Sequence, residues 1–349
     1  MGTDPFPRYL DLGGQIVHPQ PIAVEGMRLF GFLFESPRPT GPGAPVNRLQ
    51  SLCNQALNTH PDRRYDYHAI SSHFLLTFSD SRKLSSADGI GYVSELCATF
   101  WVVTLAVRRA PLPLPERLAL YIPYIFVDNQ YSLIGAREVY GLRKSLGEFR
   151  IPEDFSNAEL FTTSTLAFKT FSPETQAQMQ QLVTVRRIDD RGETGPLHGW
   201  GDHHEFFVSL MRAMLGREGQ LALHGIEEAI DVLDFKPKIS VPLVGVKQFR
   251  DAALSQQACY QALVEAPVRP TSLPEVGLLP GEYRLSVDHA DSHPIDADLG
   301  VPPEGLTAQL AFWAEMDFVI EAGRVVQSWR PAGDGGGCSP FGRLFKRSG

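Results

Sequence analysis

Residues 99–107, Thr-Phe-Trp-Val-Val-Thr-Leu-Ala-Val, and the apolar segment 121–127 constrain the fold more than any other part of this chain. Both are rich in β-branched and aromatic side chains and are bounded by Pro, Gly or charged residues, the pattern of strands. They predict central strands. Helical spacing is confined to shorter segments. Leu49, Leu52, Cys53, Ala56 and Leu57 recur at i, i+3, i+4, i+7 and i+8, one face of a helix. Ser172 followed by Pro173 and Glu174 predicts a helix start, because serine caps free amides and proline at the first position gives up no needed donor; Leu182 and Val183 would then face the core. Further helices are expected over 205–215, stopping at Gly216, and over 220–233. The Pro-rich segments 37–45 and 111–115 read as surface loops. With no internal repeat and no dividing linker, the economical organisation is one β-rich domain with helical decoration over 25–330. An N-terminal arm, 1–24, precedes it, and a glycine-rich tail, 331–349, is expected to be disordered.

Composition narrows the functional classes. The chain has 32 basic and 40 acidic side chains, a net charge of −8, which argues against an electrostatic grip on nucleic acid. Cys53, Cys97, Cys259 and Cys338 are far apart and form no CxxC pair, so neither a zinc ribbon nor a secreted disulfide framework is indicated. The N-terminal residues lack the basic flank and apolar run of a signal peptide, and no apolar stretch approaches the roughly 20 residues that span a bilayer. The expected location is the cytoplasm. A Gly-x-Ser-x-Gly elbow, a phosphate loop and a dinucleotide fingerprint are all missing.

The chemistry points to one lysine. Residues 135–147 read Gly-Ala-Arg-Glu-Val-Tyr-Gly-Leu-Arg-Lys-Ser-Leu-Gly and place Lys144 between Gly141 and Gly147, directly after the apolar stretch. Most lysines are solvated surface charges, but this context resembles the Gly-Arg-Glu-x-x-Gly-Phe-Pro-Lys-Lys signature of the acetoacetate decarboxylase family, whose first lysine is the catalytic amine. The resemblance extends loosely over residues 25–330. Leu-Gln-Ser-Leu-Cys-Asn-Gln-Ala-Leu-Asn (49–58) is similar to the family's early helix, and Phe126-Val127-Asp128-Asn129 to the strand leading to the lysine. The blocks 246–251, 258–262 and 292–295 resemble segments of longer members. The resemblance implies a β-rich α+β fold, an antiparallel cone-shaped β-barrel with peripheral helices whose interior holds the lysine, and self-association into a homo-oligomer.

It also implies roles. Lys144 would form an imine with a small-molecule keto acid and need no external cofactor, because a protonated imine absorbs the electrons that decarboxylation leaves behind. A lysine at its ordinary value of about 10.4 is neutral to only about one part in a few thousand at neutral pH, so the site must favour the free amine; acetoacetate decarboxylase is the standard example of doing so with a neighbouring cation. In the family signature that cation is a second lysine. Here the position is Ser145, which carries no charge. Arg143 precedes Lys144 where the family has proline and would point to the other face of an extended segment, leaving burial or a more distant cation such as Lys247 or Arg250 to act on Lys144. Glu95 matches the family's active-site glutamate and would assist proton transfer. Arg137 and Glu138 match its Arg-Glu pair, read as an ion-pair or hydrogen-bond brace for the lysine loop, and Arg28 is the candidate receiver of a substrate carboxylate. Decarboxylation of a β-keto acid, aldol or dehydratase chemistry through the same imine, and non-catalytic binding of a small ligand in a biosynthetic pathway remain as alternatives.

Two histidine-rich segments compete for attention. His198-Gly-Trp-Gly-Asp202-His203-His204-Glu205 has zinc-ligand residue types but not the helical His-Glu-x-x-His spacing, and reads as an Asp202 cap followed by solvated histidines, with no metal expected. Asp288-His289-Ala-Asp291-Ser-His293-Pro-Ile-Asp296 lacks EF-hand order and reads as a polar loop bordering the active site.

Overall fold

The computed structural model of the chain describes residues 9–10, 17–39, 47–111, 113–189, 195–196, 210, 212–214 and 241–329. Its frame is a ring of seven hydrogen-bonded strands: β1 (Ile22–Glu35), β3 (His73–Ser86), β4 (Tyr92–Arg108), β5 (Leu114–Tyr121), β11 (Val241–Arg250), β12 (Ala258–Leu278) and β15 (Leu310–Ile320). Their order is β4-β3-β1-β15-β12-β11-β5, and β5 pairs back onto β4. The expected barrel-like architecture is present, with one correction: β5 and β11 run parallel, so the ring is mixed rather than wholly antiparallel. From β4 the sheet continues through β6 (Ile125–Val127) and β7 (Lys144–Arg150), a second parallel pair, into β8 (Leu160–Ala167), β9 (Gln178–Asp189), β13 (Glu282–Val287) and β14 (Leu306–Thr307). Three short strands complete it: β2 (Tyr65–Ala69) on β4, and β10 (Gly195–Pro196) and β16 (Arg324–Trp329) on β12.

Strand alternation divides the side chains between two apolar interiors. Phe30, Phe32 and Phe34 of β1, Phe74, Leu76 and Phe78 of β3, and Ala98, Phe100 and Val102 of β4 pack in one cluster with Phe161 and Tyr283 from the second half of the sheet. Met27 and Leu29, Leu75 and Thr77, and Glu95, Cys97, Thr99 and Trp101 project from the same strands to the opposite face, where they line a cavity. The segment 99–107 is thus buried on both sides, which is why it reads as a near-continuous apolar run.

The helix expected over 49–57 forms as α1 (Arg48–Ala56), capped by the Asn47 side chain, with Leu49, Leu52 and Cys53 buried. Residues 210 and 212–214 of the helix expected over 205–215 are helical; the rest of it, and the helix expected over 220–233, lie outside the described residues, as do His198, Asp202, His203, His204 and the tail 331–349. The helix expected at Ser172 does not form. The Ser172 hydroxyl accepts from the Glu174 amide, but as part of a turn leading into β9, whose Val183, Thr184 and Val185 pair with β8 and β13. β-branched residues between two strands outweigh one capping signal. Among the described residues no helix is long and apolar enough to cross a membrane.

Candidate active site

Lys144 is the first residue of β7, and three local devices bring its side chain into the ring. The segment Phe126-Val127-Asp128-Asn129 ends β6, and its last two side chains take over from the strand ladder. Asp128 Oδ1 accepts from the Leu96 amide at 3.0 Å, and Asn129 Nδ2 donates to the Ser94 carbonyl at 3.0 Å. Ser94 and Leu96 flank Glu95, so this clamp fixes the glutamate from both sides. Asn129 then caps α2 (Gln130–Gly135), its Oδ1 accepting from the Ser132 amide at 2.8 Å. After α2 comes a π-helical turn, Ala136–Tyr140, closed by Gly141 in the left-handed region at φ 72°. A side chain at 141 would meet the Lys247 backbone nitrogen at 2.2 Å. Glycine therefore serves twice here, in conformation and in close approach to β11. The chain leaves this turn at Leu142 and enters β7 with Lys144 facing inward.

Inside, the Lys144 ammonium nitrogen lies 3.1 Å from Glu95 Oε2 and 2.6 Å from Ser132 Oγ, donating to both. Lys144 is 9% and Glu95 7% exposed, so this is a buried, charge-assisted pair rather than a surface contact. The pair stands at the wall of a cavity of about 280 Å³ lined by residues from all seven ring strands, together with His18, Tyr131, Leu210 and Met214. Elsewhere the lining is overwhelmingly apolar, with Leu29, Trp101, Phe312, Met316 and Phe318 prominent. Cys97, two residues along β4 from Glu95, also faces the cavity; burial, reinforced by the Glu95 charge, pushes its thiol up to about 12. It stays protonated at neutral pH.

Lys144 and Glu95 are thus brought together, and Ser132 joins them without having been singled out in the sequence. Its signal is only the Asx-type cap at Asn129, three residues earlier, which sets the orientation of α2's first turn.

The remaining sequence candidates lie elsewhere. Arg28 falls between Met27 and Leu29, both of which line the cavity, and so points to the other face, where it pairs with Asp80 at 2.5 Å. A carboxylate-binding role inside the cavity is overturned by that alternation. Ser145 likewise faces away from the cavity, its Oγ 3.4 Å from His293 Nε2; any side chain at 145 would point away from the Lys144 amine. Arg143 is exposed and its charge acts on Tyr121 and Asp298 outside the cavity. The expected Arg137–Glu138 ion pair is not formed among the described residues, since adjacent helical residues do not face each other. Arg137 is exposed, and Glu138 accepts from the Tyr9 hydroxyl at 2.6 Å. Lys247 and Arg250 are not among the lining residues. The loop 288–296 does not border the cavity either: His289 bridges Asp291 and Asp296, and the His293 ring lies tilted against Phe126, centroids 5.8 Å apart. Among the described residues no cluster of His, Cys, Asp and Glu has the arrangement of a metal site.

No family model and no curated protein matches this sequence. Among solved structures, an acetoacetate decarboxylase from Legionella pneumophila subsp. pneumophila str. Philadelphia 1 superposes with a TM-score of 0.54 at 11% identity, covering 94% of this chain and 94% of that chain. The chain has the acetoacetate decarboxylase fold. A second acetoacetate decarboxylase structure matches with a TM-score of 0.50 at 11% identity over 90% of this chain and 92% of that one. The enduracididine biosynthesis enzyme MppR complexed with pyruvate also matches with a TM-score of 0.50, at 12% identity over 90% and 93%. At these identities the likeness is one of fold.

Proposed function

We propose that the protein is a lysine-imine enzyme that decarboxylates a β-keto acid. The observation that carries the reading is the buried Lys144 amine, held by Glu95 and Ser132 at the wall of an apolar cavity. Glu95 takes the proton that frees the amine, and the Lys144 nitrogen attacks the substrate's keto carbon. After attack the nitrogen passes one proton to the former keto oxygen and Glu95 returns the other, so that the oxygen leaves as water and the C=N⁺ bond forms. The bond between the α-carbon and the carboxylate then breaks. Its electron pair moves into the iminium to give an enamine, and carbon dioxide departs neutral. Protonation of the enamine carbon and addition of water release the ketone and restore the amine. The apolar lining favours the charge-losing step, because it solvates the substrate carboxylate less well than the neutral product. Ser132 holds the amine's direction, accepting from the ammonium and able to donate to the neutral form.

The test is carbon dioxide release from a panel of β-keto acids. The wild-type protein is expected to release it and Lys144→Arg to show only the uncatalysed rate, since arginine keeps the charge but forms no imine. Equal rates in the two would overturn the reading. Trapped imine without carbon dioxide would instead assign the same lysine to carbon–carbon bond formation or cleavage.

A further inference from the structure

We infer that the substrate is a carbonyl compound with an apolar chain, and that this chain lies along the ring interior from Lys144 toward Leu75, Trp101 and Phe312; the inference deepens the imine reading and rests on it. Three observations carry it. The first is charge. Among the described residues that line the cavity, Glu95 and Lys144 are the charged groups and His18 is the one other base, with no arginine. A carboxylate next to the keto carbon has the lysine beside it, but a second carboxylate at the far end would find no cation among these described lining residues. The second is extent. The cavity lining runs along β4 from Glu95 to Trp101 and along β15 from Phe312 to Ile320; at about 3.3 Å per residue the β4 stretch alone spans about 20 Å. An apolar cavity of about 150 Å³ takes up benzene, so about 280 Å³ has room for more than a four-carbon keto acid. The third is graded polarity. Facing pairs of β3 and β4 along the lining run Ser81–Glu95, Ser79–Cys97, Thr77–Thr99 and Leu75–Trp101, so polarity falls from the Lys144 end toward Leu75, Trp101 and Phe312, where Trp101 Nε1 already donates to Thr77 Oγ1 at 2.8 Å. That stretch offers a ligand contact area but little unspent hydrogen-bonding capacity.

The experiment compares acetone and 2-octanone as imine formers, trapped with borohydride and followed by intact mass, in the wild-type protein and in Leu75→Trp. Binding is followed in parallel by displacement of an apolar fluorescent dye and by the ketone-induced shift in melting temperature. The expected result is trapping of 2-octanone at least about tenfold faster than acetone at equal concentration, with that ratio falling toward unity in a folded Leu75→Trp protein. Equal or slower trapping of 2-octanone overturns the chain inference and leaves the imine reading standing. No trapping of any ketone, with dye displaced by 2-octanone but not by acetone, overturns the imine reading and supports the apolar chain. Neither trapping nor displacement overturns both.

Discussion

At the scale of single residues, catalysis is expected to depend unequally on the three groups around the amine. Glu95→Gln keeps the shape of the Lys144 contact and removes the proton acceptor, so imine formation should slow by about 10²–10⁴-fold, the usual span for general acid–base catalysis, as read from single-turnover trapping. Ser132→Ala removes one hydrogen bond of the order of 1 kcal/mol and should cost about five- to tenfold in the same assay. A stability prediction belongs at Gly31. A Cβ there would come within 2.2 Å of the Phe312 ring, and no rotation of a flexible chain end relieves the clash. Gly31→Ala should therefore lower stability by about 1–3 kcal/mol in denaturant unfolding, and an unchanged midpoint would show that β1 and β15 are less tightly apposed than described. Lys144 was legible from the motif around it, and Glu95 only through the resemblance to a family glutamate. Ser132 was not, since it faces the amine only because α2 and the following turn fold back over β7. Arg28 was misplaced for a related reason: β1 changes register between Val24 and Met27, and a local irregularity of that kind decides which face a neighbouring residue takes.

At the scale of elements, the ring is braced by a buried carboxylate. Glu265 of β12, 3% exposed, accepts from Tyr67 Oη of β2 at 2.8 Å, from Arg117 of β5 at 2.5 Å and from Arg324 of β16 at 3.2 Å. Arg117 also lies over the Tyr65 ring, 4.4 Å from its centroid. Removing Arg117 leaves the buried carboxylate with the exposed Arg324 and the Tyr67 hydroxyl, so Arg117→Met should destabilise by about 2–3 kcal/mol, whereas the double change Arg117→Met with Glu265→Leu should recover much of that loss. A second element-level prediction concerns pH. His293, in the loop that follows β13 and half-buried against Phe126 of β6, is held below its ordinary value of 6.5 by burial. The folded state therefore prefers the neutral ring. Its contribution is complete above pH 6.5 and is lost as pH falls below that value, because the unfolded chain takes up the proton first. Compared with His293→Gln, the wild-type protein should lose stability more steeply on acidification from about pH 6.5; parallel curves would contradict the assignment. The strands over 99–107 and 121–127 could be read from β-branched density, although the second is two strands with a break at residues 122–124. The failed helix at Ser172 shows the limit of capping signals, which are local while pairing with β8 and β13 is not.

At the scale of the whole molecule, the function proposed depends on how the ring distributes its side chains. One set of strands sends large phenylalanines to the packed side and leaves the cavity side to smaller or more widely spaced groups, and the lysine enters that cavity from a strand parallel to its neighbour. None of this follows from a local pattern. The cavity draws on residues from His18 to Ile320, and its apolar character emerges only when all seven strands close. The residue at 145 illustrates the consequence, because in the sequence its lack of charge beside Lys144 looks decisive, yet in the fold it faces His293. The central claim is that the Lys144 amine, and no other, forms an imine in that cavity. Its most direct test is peptide mapping after borohydride reduction in the presence of a β-keto acid or a 2,4-diketone, with Lys144→Ala alongside. The account predicts a single reduced adduct on the peptide carrying Lys144 and none in the variant. An adduct on another lysine, or one that persists in Lys144→Ala, would contradict it.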